Sequence, residues 1–279
     1  TGPVDGGKNS DDVVNRNTVS WSHSNPLLKA ETLRPARAMT YISWPDAAAF
    51  ADWSGLRPIT ELEFEKAARG VDIAAVADEY AWGTTAYRAA GADEIFPPNA
   101  DEIGTEAILD GTANLNRNTL GWGTGDGRVG GPAQGQQGPL RVGIFAENAT
   151  GRTTSGAGYY GNMELSGNVS EPAVTIGRPE GRQFLGTHGD GELSDLAGFE
   201  GNATNVDWPG IDVQDSRRGI TGTVGIGYRG GDYKSASLRN FQVSSRAFAA
   251  KDPDSEGVLK RFDVSSGIVY GARFARTAP

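Results

Sequence analysis

The 279-residue chain contains no cysteine, only two histidines and only two methionines. The absence of cysteine excludes disulfides, zinc ribbons, iron–sulfur ligation and every cysteine nucleophile. The two isolated histidines, His23 and His188, leave little for a histidine metal site or a Ser-His-Asp triad. No apolar run approaches the ~18 residues that a membrane-spanning helix requires. Many familiar catalytic and metal-binding arrangements are therefore excluded by residue type alone.

Basic residues are also scarce, with 26 Lys and Arg against 35 Asp and Glu, a net charge of −9. Binding to nucleic-acid phosphates needs clustered Lys and Arg, so no nucleic-acid partner is expected. Glycine is abundant instead, at 40 residues, yet Gly and Pro together stay below the ~25–30% typical of low-complexity disorder. With 6 Trp, 8 Tyr and 10 Phe to build a core, the composition predicts a folded protein with much irregular backbone.

A first helix is predicted after Ser43. Ser43 and Asp46 have the spacing of a capping box, and Pro45 is tolerated in the first turn because its missing N–H is not needed there. Gly55 is the expected stop. The apolar residues that follow the helical period, and are expected to face the core, are Ala47, Phe50, Ala51 and Trp53.

A second helix is predicted between Thr60 and Gly70. Thr60 and Glu63 form another capping-box pattern, and the acidic residues of the first turn favour the positive end of the helix dipole. Gly70 stands at the C-cap position. The apolar residues at helical spacing are Leu62, Phe64, Ala67 and Ala68.

After residue 83 the helical pattern fades, and a long loop insert rich in Gly, Asn, Thr and Gln is predicted at about 99–158. Strand-like runs return at 223–229, 243–248 and 267–275. Helices first and strands later is an α+β order. We predict an α+β fold with two helices, small twisted antiparallel sheets and a high loop content.

Three segments occur in series that together are recognisable. The first segment is 41–70, which contains R-P-I-T-E-L-E-F-E-K-A-A-R-G at 57–70 and is followed by Y-A-W-G at 80–83 and A-N at 113–114. The second is Y-G-N-M-E-L-S-G-N-V-S-E at 160–171. The third is Y-R-G-G-D-Y at 228–233, followed by S-R at 245–246 and G-A-R-F at 271–274. Their wording and order resemble the formylglycine-generating-enzyme, or sulfatase-modifying-factor, family. That family is a branch of the C-type-lectin-like fold. The wording also resembles a sub-branch common in surface proteins of Bacteroidetes-like bacteria.

The resemblance implies an organisation into two parts. Residues 1–37 are an N-terminal segment or strand that leads into the domain, and residues 38–279 are the formylglycine-generating-enzyme-like domain. Arg229, Arg246 and Arg273 recur in the closing motifs of the family. We interpret them as buried hydrogen-bonding residues that satisfy loop carbonyls.

The oxidase activity of that family depends on a copper-binding cysteine pair a few residues after the R-G-G motif. The matching positions in this chain are near Ser235 and Asn240. Neither side chain supplies a soft thiolate for Cu(I), and neither can cycle through a disulfide. We therefore expect no copper and no enzymatic activity.

Calcium is the cofactor that the resemblance still allows. In relatives, the segment matching 160–171 surrounds Ca²⁺, and the corresponding groups here are the Glu164 and Glu171 side chains and the Gly167 and Val169 carbonyls. Ca²⁺ takes six to eight hard oxygen ligands, and a glycine-rich turn lets carbonyls converge on it. The alternative is a structural turn whose carboxylates face water or bond backbone amides.

For function, we expect a non-catalytic module that binds a protein or glycan partner or builds a surface assembly, without membrane insertion. An extracellular or cell-surface location is expected, or else the surface of a virion. A second hypothesis is a structural subunit of a filament, sheath or virion, which contacts copies of itself. A third is a receptor-binding protein diversified by a retroelement. The aromatic residues first expected at a partner contact are Trp122, Tyr159, Tyr160, Trp208 and Tyr233.

Overall fold

The computed structural model describes residues 19–21, 30–32, 36, 38–39, 42–90, 95–96, 107–108, 113–115, 139–233, 235, 237–249 and 270–277. In these residues the α-helices are α1 (Trp44–Trp53), α2 (Glu61–Arg69), α3 (Arg152–Ser155) and α4 (Pro179–Arg182). The strands are β1 (Val19–Trp21), β2 (Ala30–Thr32), β3 (Arg57–Pro58), β4 (Ile95–Phe96), β5 (Ala107–Ile108), β6 (Glu171–Val174), β7 (Ile226–Arg229) and β8 (Phe274–Ala275). Within the described ranges, no helix combines the length and the apolar character needed to cross a bilayer.

The strands pair in four two-stranded antiparallel sheets, β1 with β2, β3 with β8, β4 with β5 and β6 with β7. The β6–β7 pair runs from Glu171 opposite Arg229 to Val174 opposite Ile226. The predicted α+β architecture with small antiparallel sheets is confirmed. The strand predicted at 223–229 forms over its second half, whereas residues 243–248 form turns, so that strand prediction is wrong.

The first helix begins at the predicted residue, but the face that it turns toward the core is not the predicted one. The Ser43 hydroxyl accepts a hydrogen bond from the Asp46 N–H at 3.3 Å and donates to the Asp46 carboxylate at 2.6 Å. Its buried face is made of the small residues Ala47, Ala48 and Ala51. The aromatic residues Phe50 and Trp53, predicted to face the core, are 49% and 69% exposed.

Close backbone packing explains why α1 buries alanines rather than aromatics. A Cβ atom on Gly189 would lie 2.3 Å from the Asp52 Cα, so this loop lies directly against the helix backbone. The core around α1 contains Trp44, Val174, Ala203, Trp208, Ile220 and Ile226. The segment between β6 and β7 therefore packs against one face of α1.

The second helix has the reciprocal capping box that the sequence predicts. Thr60 Oγ1 accepts from the Glu63 N–H at 3.1 Å, and the Glu63 carboxylate accepts from the Thr60 N–H at 3.0 Å. Gly70 ends the helix with φ +83°, a left-handed value that favours glycine. Phe64 and Ala68 are buried, but Leu62 is 59% exposed, so the predicted stripe is only partly correct.

The loop insert predicted at about 99–158 carries some regular structure. Its described residues include β5, a 3₁₀-helix at Ile144–Ala146 and α3. Phe145 is buried with Ile108, Leu140 and Ile144. Trp122 lies outside the described residues.

Candidate functional site

A tight turn precedes β6, over the segment where the sequence predicts calcium. Glu164 and Asn168 adopt left-handed backbone conformations, with φ +62° and +63°, which are uncommon for residues other than glycine. The Asn168 side chain accepts from the Leu140 N–H at 2.8 Å, and the Glu164 carboxylate accepts from the Gly143 N–H at 2.6 Å. Both side chains thus hydrogen-bond this turn to residues 139–143 of the predicted loop insert.

Two buried carboxylates and one guanidinium form the centre of this site. Glu164 and Glu171 are 8% and 3% exposed. Arg273 donates from Nε to Glu171 Oε1 at 2.6 Å and from Nη2 to the Met163 carbonyl at 2.9 Å. Arg273 directly precedes β8, which pairs with β3. This pairing brings the Arg273 guanidinium to the turn before β6.

Burial shifts the pKa of both acids upward. It raises the pKa of Glu164 to about 7, although the Gly143 N–H and Arg273 act in the opposite direction. Burial also raises the pKa of Glu171, against the opposing effect of the Arg273 charge. The carboxylate of Glu171 in turn raises the pKa of Arg273. The site therefore holds two acids that are incompletely balanced by one arginine.

The oxygen donors of this site are of the type that a hard cation takes. Glu171 Oε2 is buried and has no hydrogen-bond partner, while its Oε1 is held by Arg273. Within the described part of the chain, no three His, Cys, Asp or Glu side chains cluster as a metal group, so backbone carbonyls such as those of Gly167 and Val169 are needed to complete a calcium shell. The predicted carboxylates Glu164 and Glu171 are brought together; Arg273, predicted only to satisfy loop carbonyls, also lies beside them.

The arginines of the closing motifs are largely the hydrogen-bonding residues that the sequence predicts. Arg229 is buried and donates from Nη2 to the Val243 carbonyl at 2.6 Å and to Glu65 Oε1 at 2.7 Å. Arg246 departs from the prediction, because its side chain is 43% exposed and pairs with the buried Glu61 carboxylate at 2.8 Å. These contacts join α2 to the chain after β7.

The residues near the oxidase's cysteine positions take part in ordinary turn structure. Ser235 is 7% exposed, and its Oγ accepts from the Asp232 N–H at 3.3 Å while its own N–H donates to the Asp232 carbonyl at 2.9 Å. Asn240 lies in the 3₁₀-helix Leu238–Phe241. Both side chains offer only oxygen or amide groups.

The predicted partner contacts divide into surface and core. Tyr159 and Tyr160 are 41% and 54% exposed, and their rings meet edge to face with centroids 4.8 Å apart. Trp208 and Tyr233 are a correction, because they are 1% and 0% exposed. Both side chains belong to the core, and Trp208 donates from Nε1 to the Thr187 carbonyl at 3.0 Å.

Tyr159 is held in a fixed position at the end of α2. Its N–H donates to the carbonyls of Ala67 and Ala68 at 3.0 and 3.1 Å, and its ring covers Gly70, where a Cβ would lie 2.5 Å from the ring. The Arg152 guanidinium lies 5.7 Å from the centre of the same ring. A side chain so constrained loses little conformational entropy on binding.

An exposed aliphatic loop follows Gly70 directly and was not predicted from the sequence. Val71, Ile73 and Val76 are 49%, 53% and 48% exposed. The sequence does contain a signal for this loop, namely three aliphatic residues within the six positions that follow the C-cap of α2. We call Tyr159, Tyr160, Val71, Ile73 and Val76 the tyrosine surface.

Comparisons with known proteins bear on the first part of the chain. Residues 5–122 match the sequence model of the sulfatase-modifying factor enzyme 1-like domain. This part of the chain is therefore similar to a sulfatase-modifying-factor domain. Relatives include formylglycine-generating enzymes of Streptomyces coelicolor, 37% identical over 70 residues, and of Thermomonospora curvata, 47% identical over 53 residues. No solved structure matches at a significant level.

The similarity to these relatives is confined to short stretches. The alignments cover 25% and 19% of this chain, and 21% and 16% of the Streptomyces and Thermomonospora proteins. The chain thus spans about a fifth or less of the curated relatives it matches. The chain contains no cysteine.

Proposed function

We propose that this chain is a non-catalytic member of the sulfatase-modifying-factor family, which binds a protein or glycan partner outside the cell or at its surface. The first support is chemical. Ser235 and Asn240 stand near the positions where the family's oxidase has its copper-binding cysteines, and hard oxygen or amide groups do not replace thiolates for Cu(I). The Ser235 hydroxyl is already used in a turn with Asp232.

The tyrosine surface is the observation that carries the binding role. Tyrosine supplies a large, rigid contact area with a polar tip, which suits both protein and carbohydrate partners. Tyr159 is held against Gly70 and Arg152, and the exposed aliphatic residues Val71 and Ile73 follow Gly70 within three positions of the chain. Exposed apolar patches on a folded domain are typical of interaction sites.

Calcium has a structural part in this proposal. Glu164 and Glu171, with the carbonyls of Gly167 and Val169, would hold the ion, and it would supply positive charge to two buried carboxylates. The support is the buried, unpartnered Oε2 of Glu171 together with the raised pKa of Glu164. The ion would fasten the turn before β6 and leave the tyrosine surface for the partner.

A glycan array and a panel of immobilised cell-surface proteins, probed with the purified chain, test the binding role. We expect a saturable partner whose binding is lost in the double variant Tyr159→Ala/Tyr160→Ala. The matched control is Trp53→Ala, which removes an exposed aromatic residue from α1 and is expected to leave binding unchanged. Equal binding by the double variant would contradict the role of the tyrosine surface.

A direct assay tests the absence of oxidase activity. The chain is incubated with Cu(I), oxygen and a cysteine-containing peptide derived from a sulfatase, and aldehyde formation is followed by mass spectrometry. We expect no aldehyde above a protein-free control. Aldehyde formation would show that catalysis survives without thiols and would overturn the proposal. Silence in the arrays, with concentration-dependent assembly in sedimentation, would favour a structural subunit.

A further inference from the structure

The long excursion between β6 and β7 contains a groove of about 460 Å³. Its floor is the segment around Trp208 and Gly210, and its walls come from α4 and from residues 211–214 and 221–224. The volume falls within the ~300–1,000 Å³ of pockets that bind ligands. None of its lining residues belongs to the tyrosine surface or to the Glu164–Glu171 site.

The groove is held open by contacts that do not depend on a ligand. Trp44 of α1 donates from Nε1 to the Pro209 carbonyl at 2.8 Å. The N–H groups of Thr221 and Gly222 donate to the Gly210 carbonyl at 3.1 and 3.0 Å. Gly181 of α4 lies so close to the Thr175 carbonyl that a Cβ would lie 1.9 Å from it. The groove is therefore preformed, which lowers the entropy cost of binding.

Exposed aliphatic side chains surround the groove. Val206, Val213 and Val224 are 72%, 92% and 40% exposed, and all three line it. Single exposed valines are ordinary, but three around one concave site provide apolar area that a partner would remove from water.

The charge of the groove has one sign. Its lining includes Glu180, Asp207 and Asp212, and it includes no Lys, Arg or His. Asp212 pairs with Arg218 at 3.2 Å, whereas across the described residues neither Glu180 nor Asp207 has a cation within ion-pair distance. Asp207 accepts from the Leu185 and Thr187 N–H groups at 3.0 and 3.4 Å, and these neutral donors leave its charge in place.

We propose that this groove binds an extended peptide segment of a partner protein in which Lys or Arg alternates with aliphatic residues. The valines receive the aliphatic side chains, and Glu180 and Asp207 attract the cations. Charge complementarity selects this occupant, because an acidic or neutral segment gains nothing from the carboxylates. The proposal names a second site and does not depend on the tyrosine surface.

Fluorescence anisotropy with two labelled peptides tests the proposal. The first peptide alternates valine and lysine, and the second has glutamate in place of each lysine. We expect saturable binding of the lysine peptide, weaker at higher salt, and no binding of the glutamate peptide. Glu180→Lys is expected to weaken binding about tenfold, and Val213→Ser about threefold, since it removes a contact of roughly one or two methyl groups.

Matched controls separate the groove from general charge and stability effects. Glu192→Lys makes the same charge change at an exposed position outside the groove, and Val142→Ser removes an exposed valine elsewhere. Both are expected to bind the lysine peptide as the unchanged chain does, and so is Tyr159→Ala/Tyr160→Ala. The proposal is overturned if neither peptide binds, if both bind equally, or if Glu192→Lys weakens binding as much as Glu180→Lys. It is also overturned if sedimentation shows that Val213→Ser dissociates a dimer of this chain.

Discussion

Arg273 holds only one oxygen of Glu171. Its Nε donates to Oε1 over 2.6 Å, while Oε2 of the same carboxylate is buried and has no hydrogen-bond partner. Leaving a buried charged acceptor unsatisfied costs roughly 1–3 kcal/mol or more. Glu164, buried beside this pair, adds a second acid whose pKa is raised to about 7. The turn before β6 is thus short of positive charge.

Calcium is expected to stabilise the chain by supplying that charge. At a calcium concentration about a hundred times the dissociation constant, linkage gives ~2.7 kcal/mol, or a rise in Tm of about 5 °C for a chain of this size. Differential scanning calorimetry of chelator-treated protein, with and without millimolar Ca²⁺, measures this shift.

Two controls make the calcium prediction specific. Glu171→Gln is expected to abolish the shift, since a neutral amide is a much weaker ligand than a carboxylate. Glu192→Gln, at an exposed site remote in the chain, is expected to keep it. An unchanged Tm at millimolar Ca²⁺ in the unmodified chain would remove the site and leave the alternative of a structural turn.

Glu164 makes a pH dependence predictable. Its pKa is about 7 in the folded chain and near the ordinary value of ~4.3 when unfolded. Between these values the folded state holds the proton more tightly, so the free energy of unfolding falls as pH rises, by on the order of 3–4 kcal/mol in total. Glu164→Gln removes this decline between pH 4.5 and pH 7.

Urea unfolding in chelator at pH 4.5, 6 and 7.5 checks the Glu164 prediction. Relative to the unmodified chain, Glu164→Gln is expected to gain stability steadily across this range. Equal slopes of unfolding free energy against pH in the two proteins would mean that Glu164 is not the titrating group.

The capping box of α2 predicts a local loss of stability. Thr60→Ala removes the acceptor of the Glu63 N–H and is expected to cost about 1 kcal/mol. Thr150→Ala, at an exposed threonine, is the control and is expected to change the unfolding free energy by under about 0.5 kcal/mol. Urea midpoints of the two variants give the comparison, and equal midpoints would contradict the contribution of the cap.

The parts of the fold that were predictable from sequence depend on local chemistry. The helix starts at Ser43 and Thr60 and the stops at Gly55 and Gly70 follow from hydrogen bonds within a few residues. The inward face of α1 was not predictable, because the loop that packs on it at Gly189 comes more than a hundred residues later in the chain. The strand prediction at 243–248 was wrong because the apolar residue Val243 is buried against Phe64 of α2 and not in a sheet. This contact, too, joins segments that are distant in the chain.

In the candidate site, too, the residues of one continuous motif were predictable and the contacts between distant segments were not. Glu164 and Glu171 could be selected from one continuous motif, but Arg273 reaches them only because β8 pairs with β3. Tyr159, Tyr160 and Trp208 were all predicted at a partner contact, but only the two tyrosines are exposed and Trp208 is buried. Exposure of an aromatic residue depends on distant packing, which a single sequence does not encode locally.

Asp52 is expected to be the most sensitive anchor of the excursion. This buried side chain of α1 accepts from the N–H groups of Asp190 and Gly191 at 2.8 and 3.0 Å through Oδ1, and from Thr204 at 3.4 Å through Oδ2. Burial raises its pKa, although the three N–H groups oppose that shift. Asp52→Ala leaves these donors without their acceptor and is expected to cost about 2–3 kcal/mol.

Hydrogen exchange distinguishes the loss of this anchor from a general loss of stability. In Asp52→Ala, the amides of Gly191 and Thr204 are expected to lose protection, together with Trp208 on the groove floor, while those of α2 keep theirs. Asp46→Ala, at the start of the same helix, is the control and is expected to leave the 190–204 amides protected. Uniform loss of protection across both helices in Asp52→Ala would show that Asp52 stabilises the whole domain rather than anchoring the excursion.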